Sequence, residues 1–211
     1  MREPEALRLL HLHRYERAAR RAGFTMLGGI DEVGRGPLAG PVVAACVVSS
    51  RPLVLPGLND SKRVSPSRRE ILAREIRARA DAIGIGEASP AEIDEHNILG
   101  ATYLAMRRAL AAAGTPPEYL LLDAVRLPGV ECPQEPIIKG DALCALIAAA
   151  SIIAKVYRDA LLVALDEADP RYGYALHKGY PTPAHLAALA THGPSPNHRM
   201  SFRPVRDAQQ S

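Results

Sequence analysis

The chain has 211 residues, a length that suits one ordinary domain with a small appendage and argues against two large independent domains. Hydrophobic residues make up 47% and charged residues 23%, close to the globular average, which excludes wholesale disorder and fibrous architectures. The net charge of +3 is too small to identify a partner. No apolar run resembles a signal peptide or a membrane span, so we expect a cytoplasmic protein without a membrane partner.

Hydrophobic periodicity and turn-forming residues divide the chain into strands and helices. In chain order, we predict a basic helix over 4–22, strands over 26–34 and 41–50 that pair antiparallel, a loop over 51–66, a helix from Pro66 to about Asp81, a strand over 82–89, helices over 89–97 and 97–114, strands over 118–125 and 135–141, a helix over 142–168 and a last helix over 182–193. This order predicts an α/β fold, a mixed central β-sheet flanked by helices.

The first helix is amphipathic and typical of a packed N-terminal arm. Its predicted apolar face comprises Leu7, Leu10, Tyr15 and Ala18. The three cysteines, Cys46, Cys132 and Cys144, are widely spaced and form no CxxC pair, which argues against a disulfide framework or a zinc site. Cys46 and Cys144 fall in apolar runs, so we expect them in the core.

The segment from Pro170 to Arg206 is basic. It contains no Asp or Glu, and its five positive charges are Arg171, Lys178, Arg199, Arg203 and Arg206. The same segment holds Tyr172, Tyr174 and Tyr180, and basic groups interleaved with aromatic rings suit a nucleic-acid backbone and its bases. A solvated face with core tyrosines explains the pattern equally well.

Lysine is rare among the 26 basic residues of this arginine-rich chain. The four lysines are Lys62, Lys139, Lys155 and Lys178. A lysine is a compact point charge, which suits contact with one phosphate oxygen or with catalytic carboxylates. Four residues are a small sample, and chance is an alternative explanation.

Four carboxylates stand where solvated surface explains them poorly. Asp31 and Glu32 interrupt the apolar run GGIDEVG, Asp123 ends YLLLD, and Asp141 follows IIKG at a helix start. Carboxylates gathered at a sheet edge repel one another unless cations neutralise them, and oxygen ligands suit hard divalent ions such as Mg²⁺ or Mn²⁺. The sequence therefore predicts a metal site. Taken singly, Asp141 also fits a helix N-cap and Asp123 a turn.

Local geometry bears on how these acids could meet. Neighbours on a regular strand point to opposite faces, so Asp31 and Glu32 share a site only if the strand ends, bulges or twists there, or a backbone carbonyl joins the coordination. On one continuous helix, Asp141, Ser151 and Lys155 would lie within roughly 80° around the axis. Ser151 and Lys155 could then contact a phosphate, or they could be a buried serine and a lysine whose stem is buried.

The segment Gly34-Arg35-Gly36 follows the acidic pair directly. Glycines let a polymer backbone approach closely and expose amides, and Arg35 adds a fixed positive charge. These residues and six further motifs together resemble one family, ribonuclease HII, the type 2 ribonucleases H, over residues 24–205. The motifs are GIDEVGRGPLAGPVVAA, LNDSK, LLLDAV, IIKGD, ASIIAKVYRD, HKGYPT and GPSPNHRMSF.

The resemblance implies an RNase H-like fold with a small helical C-terminal extension. It implies an endonuclease that cuts the RNA strand of RNA–DNA hybrids and incises duplex DNA 5′ of single embedded ribonucleotides by two-metal catalysis, with Mn²⁺ or Mg²⁺. By motif, the metal-binding acids would be Asp31, Glu32, Asp123 and Asp141. Gly34, Arg35 and Gly36 would contact the ribose 2′-hydroxyl, and Tyr180 would stack near the RNA–DNA junction. Lys62, Ser151 and Lys155 would bind phosphates.

Together with the helix pattern and the basic segment, the resemblance predicts an N-terminal helical arm (1–22), an RNase H-like catalytic domain (23–168) and a basic helical extension (169–211). His96 in EIDEHNI, where an apolar residue is expected, and Ala142 after KGD, where Ser is also familiar, depart from the family pattern. The end of the chain, VRDAQQS, lacks an aromatic tail, so we expect no binding to a sliding clamp, and we expect a monomer.

Two other functions fit the motifs less completely. In a noncatalytic nucleic-acid-binding module the acids would be structural caps, and such a protein would not cut a labelled hybrid in the presence of Mg²⁺ or Mn²⁺. Another nuclease or an integrase of the same superfamily would process all-DNA substrates.

Overall fold

The computed structural model describes residues 3–209. The first two residues of the predicted arm and the last two of VRDAQQS lie outside this range. The strands are β1 (Leu27–Val33), β2 (Val42–Ser49), β3 (Ala82–Ala88), β4 (Tyr119–Asp123) and β5 (Gln134–Ile137). The helices are α1 (Glu3–Leu12), α2 (Arg14–Arg21), α3 (Pro66–Arg79), α4 (Pro90–Ala112), α5 (Gly140–Leu143), α6 (Ala145–Ala168), α7 (Tyr174–His177), α8 (Pro183–His192) and α9 (Arg203–Ala208).

The five strands form one mixed sheet in the order β3-β2-β1-β4-β5. β1 pairs antiparallel with β2, as the sequence predicts, and β2 pairs antiparallel with β3. β4 runs parallel to both β1 and β5. The predicted mixed sheet flanked by helices is therefore confirmed.

Each face of the sheet carries its own apolar core. α6 packs on one face against residues such as Val43 and Val47, and α4 packs on the other against Val42 and Val48. Successive β2 side chains therefore point into one core and then the other. Because both faces of β2 are buried, its sequence is an unbroken hydrophobic run. Cys46 and Cys144 are buried and unpaired, as expected. No helix among residues 3–209 is long and apolar enough to cross a membrane.

The predicted N-terminal helix is two helices, and of its predicted apolar face only Tyr15 packs against the core. The helices part at His13, whose ring lies 2.8 Å from the carbonyl oxygen of Leu9. Leu9 and Leu12 are buried, whereas Leu7 and Leu10 are each 53% exposed. The prediction assumed one uninterrupted helix, which placed Leu7, Leu10, Tyr15 and Ala18 on one face. The buried carboxylate of Glu16 also anchors the arm, because it accepts a hydrogen bond of 2.9 Å from the Leu146 amide.

The start of α3 and both parts of α4 follow the sequence signals closely. Ser65 caps α3, and Ser89 forms a reciprocal capping box with Glu92 at the start of α4. The predicted division at Asn97 is present as a kink with φ of 58°, where the Asn97 side chain accepts hydrogen bonds from the Leu99 and Gly100 amides. Asn tolerates this left-handed φ better than most residues.

The predicted helix over 142–168 is also two helices. Cys144 is extended (φ −135°, ψ 127°) and separates α5 from α6. Asp141 therefore lies on a different helix from Ser151 and Lys155, and the expected common helix face is wrong. An apolar run of helix formers gives no sequence signal for such a break.

The C-terminal extension folds as short helices with a polar interior. Tyr172 and Tyr174 are buried there, and Tyr180 alone of the three tyrosines is exposed, at 40%. The Tyr174 hydroxyl lies 3.1 Å from the Ser195 hydroxyl, which in turn lies 2.9 Å from Nδ1 of His198. The pattern of tyrosines among basic residues is thus mostly a core pattern, with one exposed ring.

Candidate metal centre and nucleic-acid interface

Strand ends bring three of the four acids to one edge of the sheet. β4 ends at Asp123, and its parallel pairing with β1 stops at Ile30 opposite Leu122. Asp31 and Asp123 therefore follow at the same level on adjacent strands, which lie about 4.8 Å apart in a sheet. β1 itself stays regular to Val33 and neither ends nor bulges at Asp31. Its neighbour ends instead, which opens the edge at Asp31 and Glu32.

The four acids influence one another electrostatically. Burial, then the charge of Glu32, raises the pKa of Asp31 well above its usual range, and the carboxylates of Asp123 and Asp141 act in the same direction. Burial likewise raises the pKa of Glu32, Asp123 and Asp141, and each of these three also lies in the field of at least one other carboxylate. Placing several carboxylates in a desolvated pocket costs free energy that divalent cations can offset.

The carboxylates are at present bound to protein groups. Asp123 Oδ1 accepts a hydrogen bond of 2.7 Å from the Gly140 amide, and Glu32 Oε1 lies 3.4 Å from the guanidinium of Arg35. Glu32 Oε2 is buried without a hydrogen-bond partner. Among residues 3–209, no group of three or more His, Cys, Asp or Glu side chains is arranged to hold a metal ion. The oxygen donors fit a hard cation chemically, but these side chains must turn to converge on one.

A cleft of about 220 Å³ lies beside the acids, and we call it the catalytic cleft after the role proposed for it below. Asp31 and Glu32 line it, together with all seven residues that the resemblance assigns to substrate: Gly34, Arg35, Gly36, Lys62, Ser151, Lys155 and Tyr180. Asp123 and Asp141 do not line this cleft, although their charges act on the carboxylate of Asp31 within it. The fold thus gathers side chains from β1, the loop before α3, α6 and the C-terminal extension.

The polar groups of the cleft differ in how free they are. Burial lowers the pKa of Lys62, but Asp60, Asp141 and Asp31 outweigh this effect and leave the pKa above its ordinary value. Lys62 is therefore a cation on the edge of the acidic cluster. Lys155 Nζ is paired with Asp159 at 2.6 Å, and Ser151 donates to the Ser61 hydroxyl at 2.9 Å. Both would need to exchange these partners to contact a phosphate.

Two buried arginines hold the loop that follows β1. The sequence analysis counted Arg199 among the charges of the basic segment and did not assign Arg158. Arg199 donates to the carbonyl oxygens of Gly34, Arg35 and Gly40 over 2.5–3.0 Å. Arg158 donates to Ala39, Pro41 and Lys178 carbonyls, each at 3.0 Å. Within the described residues neither arginine forms an ion pair. Burial, then the charge of Arg158, lowers the pKa of Arg199 to about 9.

The two glycines of the loop play different structural parts. Gly34 has φ of 93°, and a Cβ there would lie 2.8 Å from Arg158 Cδ and 2.9 Å from the Pro41 carbonyl oxygen. Gly36 has no such strain, and its nearest neighbour would be the Tyr180 ring at 3.7 Å. Gly34 is therefore required by the fold, whereas Gly36 leaves open surface beside Tyr180 in the cleft.

Asp60 is a further acid that the sequence analysis did not assign. Its carboxylate accepts a hydrogen bond of 2.9 Å from the Lys62 amide, which holds the turn carrying Lys62. Its charge also raises the pKa of Asp123 and of Asp141. The LNDSK motif contained this residue, and a search for acids beside the other carboxylates, rather than at strand ends alone, would have found it.

Comparison with known proteins identifies the family. Residues 28–205 match the family model described as Ribonuclease HII. The chain belongs to the ribonuclease HII family. A ribonuclease HII of Geobacillus kaustophilus is 55% identical over 196 residues, which cover 93% of this chain and 75% of the relative. Ribonuclease HII membership makes the chain a ribonuclease H, an endonuclease that hydrolyses phosphodiester bonds, and a noncatalytic binding module is excluded.

Solved ribonucleases of this kind share the fold. Ribonuclease H2 from Pyrococcus horikoshii OT3 superposes with a TM-score of 0.74 at 27% identity, covering 88% of this chain and 97% of that one. Ribonuclease HII of Archaeoglobus fulgidus, solved in complex with PCNA, gives a TM-score of 0.70 at 30% identity, covering 84% of this chain and 95% of that one. The RNase H-like fold implied by the sequence motifs is therefore confirmed.

Proposed function

We propose that this ribonuclease H cuts the RNA strand of RNA–DNA hybrids and also incises duplex DNA 5′ of a single embedded ribonucleotide, leaving a 5′-phosphate and a 3′-hydroxyl. The observation that carries the proposal is the cleft in which Asp31 and Glu32 lie beside the Gly34–Gly36 loop and Tyr180. Acids for chemistry and groups for recognising a ribose share one small surface.

Asp31, Glu32, Asp123 and Asp141 would hold two divalent ions, Mn²⁺ or Mg²⁺. When bound, such ions lower the pKa of a water molecule and neutralise charge on the leaving 3′-oxygen. Three observations support this assignment: the charges of the other three acids act on Asp31, burial raises the pKa of each of the four, and Glu32 Oε2 has no hydrogen-bond partner. Lys62 adds a positive charge beside these acids, where a phosphate would enter.

Recognition of the ribonucleotide would fall to the loop and to Tyr180. Arg199 and Arg158 donate hydrogen bonds to carbonyl oxygens of the loop after β1. The peptide groups around Gly36 are therefore fixed before substrate binds. A fixed amide pays little ordering cost when it bonds a 2′-hydroxyl. The exposed Tyr180 ring beside Gly36 offers a face for stacking on a sugar or base. Ser151 and Lys155 would bind phosphates after leaving Ser61 and Asp159.

The test uses three end-labelled duplexes of one sequence: an RNA–DNA hybrid, a DNA duplex with one ribonucleotide, and an all-DNA duplex. With Mn²⁺ or Mg²⁺, we expect cleavage of the first two and none of the third, with a single cut 5′ of the ribonucleotide. A chelator should stop both reactions. Cleavage in the chelator, or equal cleavage of the all-DNA duplex as an integrase-like enzyme requires, would contradict the proposal.

Four further expectations stay predictions. The monomeric state and the cytoplasmic location rest on the sequence alone, as does the division at residues 22 and 168. A clamp partner is not expected, although the Archaeoglobus relative was solved with PCNA. Of VRDAQQS, residues 205–208 belong to α9, and its last two residues lie outside the described part of the chain.

A further inference from the structure

A second cleft, of about 230 Å³, lies between the N-terminal arm, the turn that carries Lys62, and α5. The basic side chains that line it are Arg8, His11, Arg14 and Arg63. No acidic side chain lines it. Because like charges converge there only at a cost, such a pocket is suited to an anion.

The basic groups of this pocket are not equally available. Arg8 is held by the Glu5 carboxylate at 2.7 Å and by the Leu58 carbonyl oxygen at 2.8 Å, so it forms part of the wall. Arg14 and Arg63 are exposed. Within residues 3–209, the Arg14 guanidinium donates a hydrogen bond to the neighbouring Tyr15 hydroxyl and lies over its ring, and the Arg63 side chain has no hydrogen bond or ion pair. These two guanidinium groups are free to bind a phosphate.

The pocket adjoins the candidate metal centre along the chain at two points. Asn59 in its wall precedes Asp60, and Ala142 in its wall follows Asp141. Arg63 ends the same short turn that presents Lys62 to the catalytic cleft. The pocket therefore neighbours the acids, and only a substrate longer than a mononucleotide would span both the pocket and the catalytic cleft.

We propose that Arg14 and Arg63 bind the phosphodiester backbone of the duplex substrate outside the catalytic cleft, so that the N-terminal arm is part of the substrate-binding surface. The proposal rests on the proposed function, since it requires a duplex in the catalytic cleft. Each neutralised phosphate releases condensed counterions, and loss of one contact lowers the slope of log affinity against log salt by about 0.9.

The experiment measures binding of a long RNA–DNA hybrid over a salt series, with chelator present so that no cleavage occurs. The double variant R14A/R63A should bind roughly tenfold more weakly at low salt and show a slope shallower by about 2. R14K/R63K should recover most of the affinity, because the charge is retained. R77A/R107A is the matched control: it removes two exposed arginines from α3 and α4 that line neither cleft, and it should bind as the parent does.

Inorganic phosphate is the second probe. The midpoint of thermal unfolding is measured for the parent and for R14A/R63A, each in phosphate and in chloride at equal ionic strength. Parental affinity and slope in R14A/R63A would overturn the proposal, as would equal losses in R77A/R107A. A phosphate-dependent rise in the parent midpoint without any effect on duplex binding would also overturn it and assign the pocket to a free anion. Failure of the proposed function would show in a different experiment, since the parent protein would then not cleave the hybrid in the presence of Mn²⁺ or Mg²⁺.

Discussion

Alanine substitutions at Gly34 and Gly36 should separate a glycine that the fold needs from one that the substrate needs. At Gly34 a Cβ would strike the Arg158 side chain and the Pro41 carbonyl oxygen, and the φ of 93° disfavours any L side chain. At Gly36 the backbone is ordinary, and a methyl group would rest 3.7 Å from the Tyr180 ring. Only the second change leaves the free protein undisturbed.

The magnitudes follow from these contacts. A left-handed residue with a side chain costs about 1–2 kcal/mol, and overpacking against a fixed neighbour adds about 1–3 kcal/mol. Gly34→Ala should therefore lower the free energy of unfolding by about 2–5 kcal/mol. Gly36→Ala should leave it within about 0.5 kcal/mol, with a small gain from the stiffer unfolded chain. In the cleft, however, the Gly36 methyl group occupies the surface that a nucleic-acid backbone would approach.

Urea unfolding measures the free energy of unfolding of each variant. The cleavage rate on duplex DNA with one ribonucleotide measures the effect on substrate. We expect Gly36→Ala to fold like the parent yet to lose most of its activity on that duplex, mainly through a raised KM. Gly36→Ala with the parental rate would show that substrate does not approach Gly36. Equal destabilisation of the two variants would refute the structural distinction between the glycines.

Asp31→Asn should abolish cleavage and raise the midpoint of thermal unfolding measured in chelator. The substitution removes a buried carboxyl group whose charged form is disfavoured, as its raised pKa shows. An unchanged or lower midpoint would contradict this reasoning. Arg199→Lys keeps a charge but loses the planar fork that reaches three carbonyl groups, so the free energy of unfolding should fall by about 2 kcal/mol in urea. Burial lowers the pKa of His198 to about 4 from the usual 6.5. The unfolded chain then binds more protons between these values, so stability falls as pH drops through that window, by up to about 3 kcal/mol. His198→Asn should lack this loss, and acid-unfolding curves of equal slope for variant and parent would refute it.

The sheet was predictable because its signals are local, and the residues that line the cleft beside Asp31 were named from the family motifs. Strands β1 and β2 are apolar runs separated by a glycine-rich turn, and Ser65 and Ser89 stand at the exact positions where a cap serves the helix behind them. Acids interrupting or ending buried strands were conspicuous for the same reason. Strands, helix caps and acids within apolar runs can each be recognised from a few consecutive residues.

The breaks at His13 and Cys144 were not predictable in that way. Both lie in sequences that favour helix, and each depends on what packs around it: the Glu16 carboxylate of the arm, for example, bonds the first turn of α6. The opening of the sheet beside Asp31 was not predictable either. It depends on where β4 stops, and no pattern within β1 records the length of its neighbour.

The two buried arginines explain why the C-terminal extension matters to the catalytic cleft. A loop of glycines after β1 has few side chains with which to hold itself, so its carbonyl oxygens must be satisfied from outside. Arg158 of α6 and Arg199 of the extension supply those donors, and the Leu38 amide donates to the Gly179 carbonyl oxygen at 2.8 Å. Arg199 had looked like one of five surface charges for a nucleic-acid backbone. It is fully buried, and its guanidinium bonds the loop carbonyl oxygens instead of facing solvent.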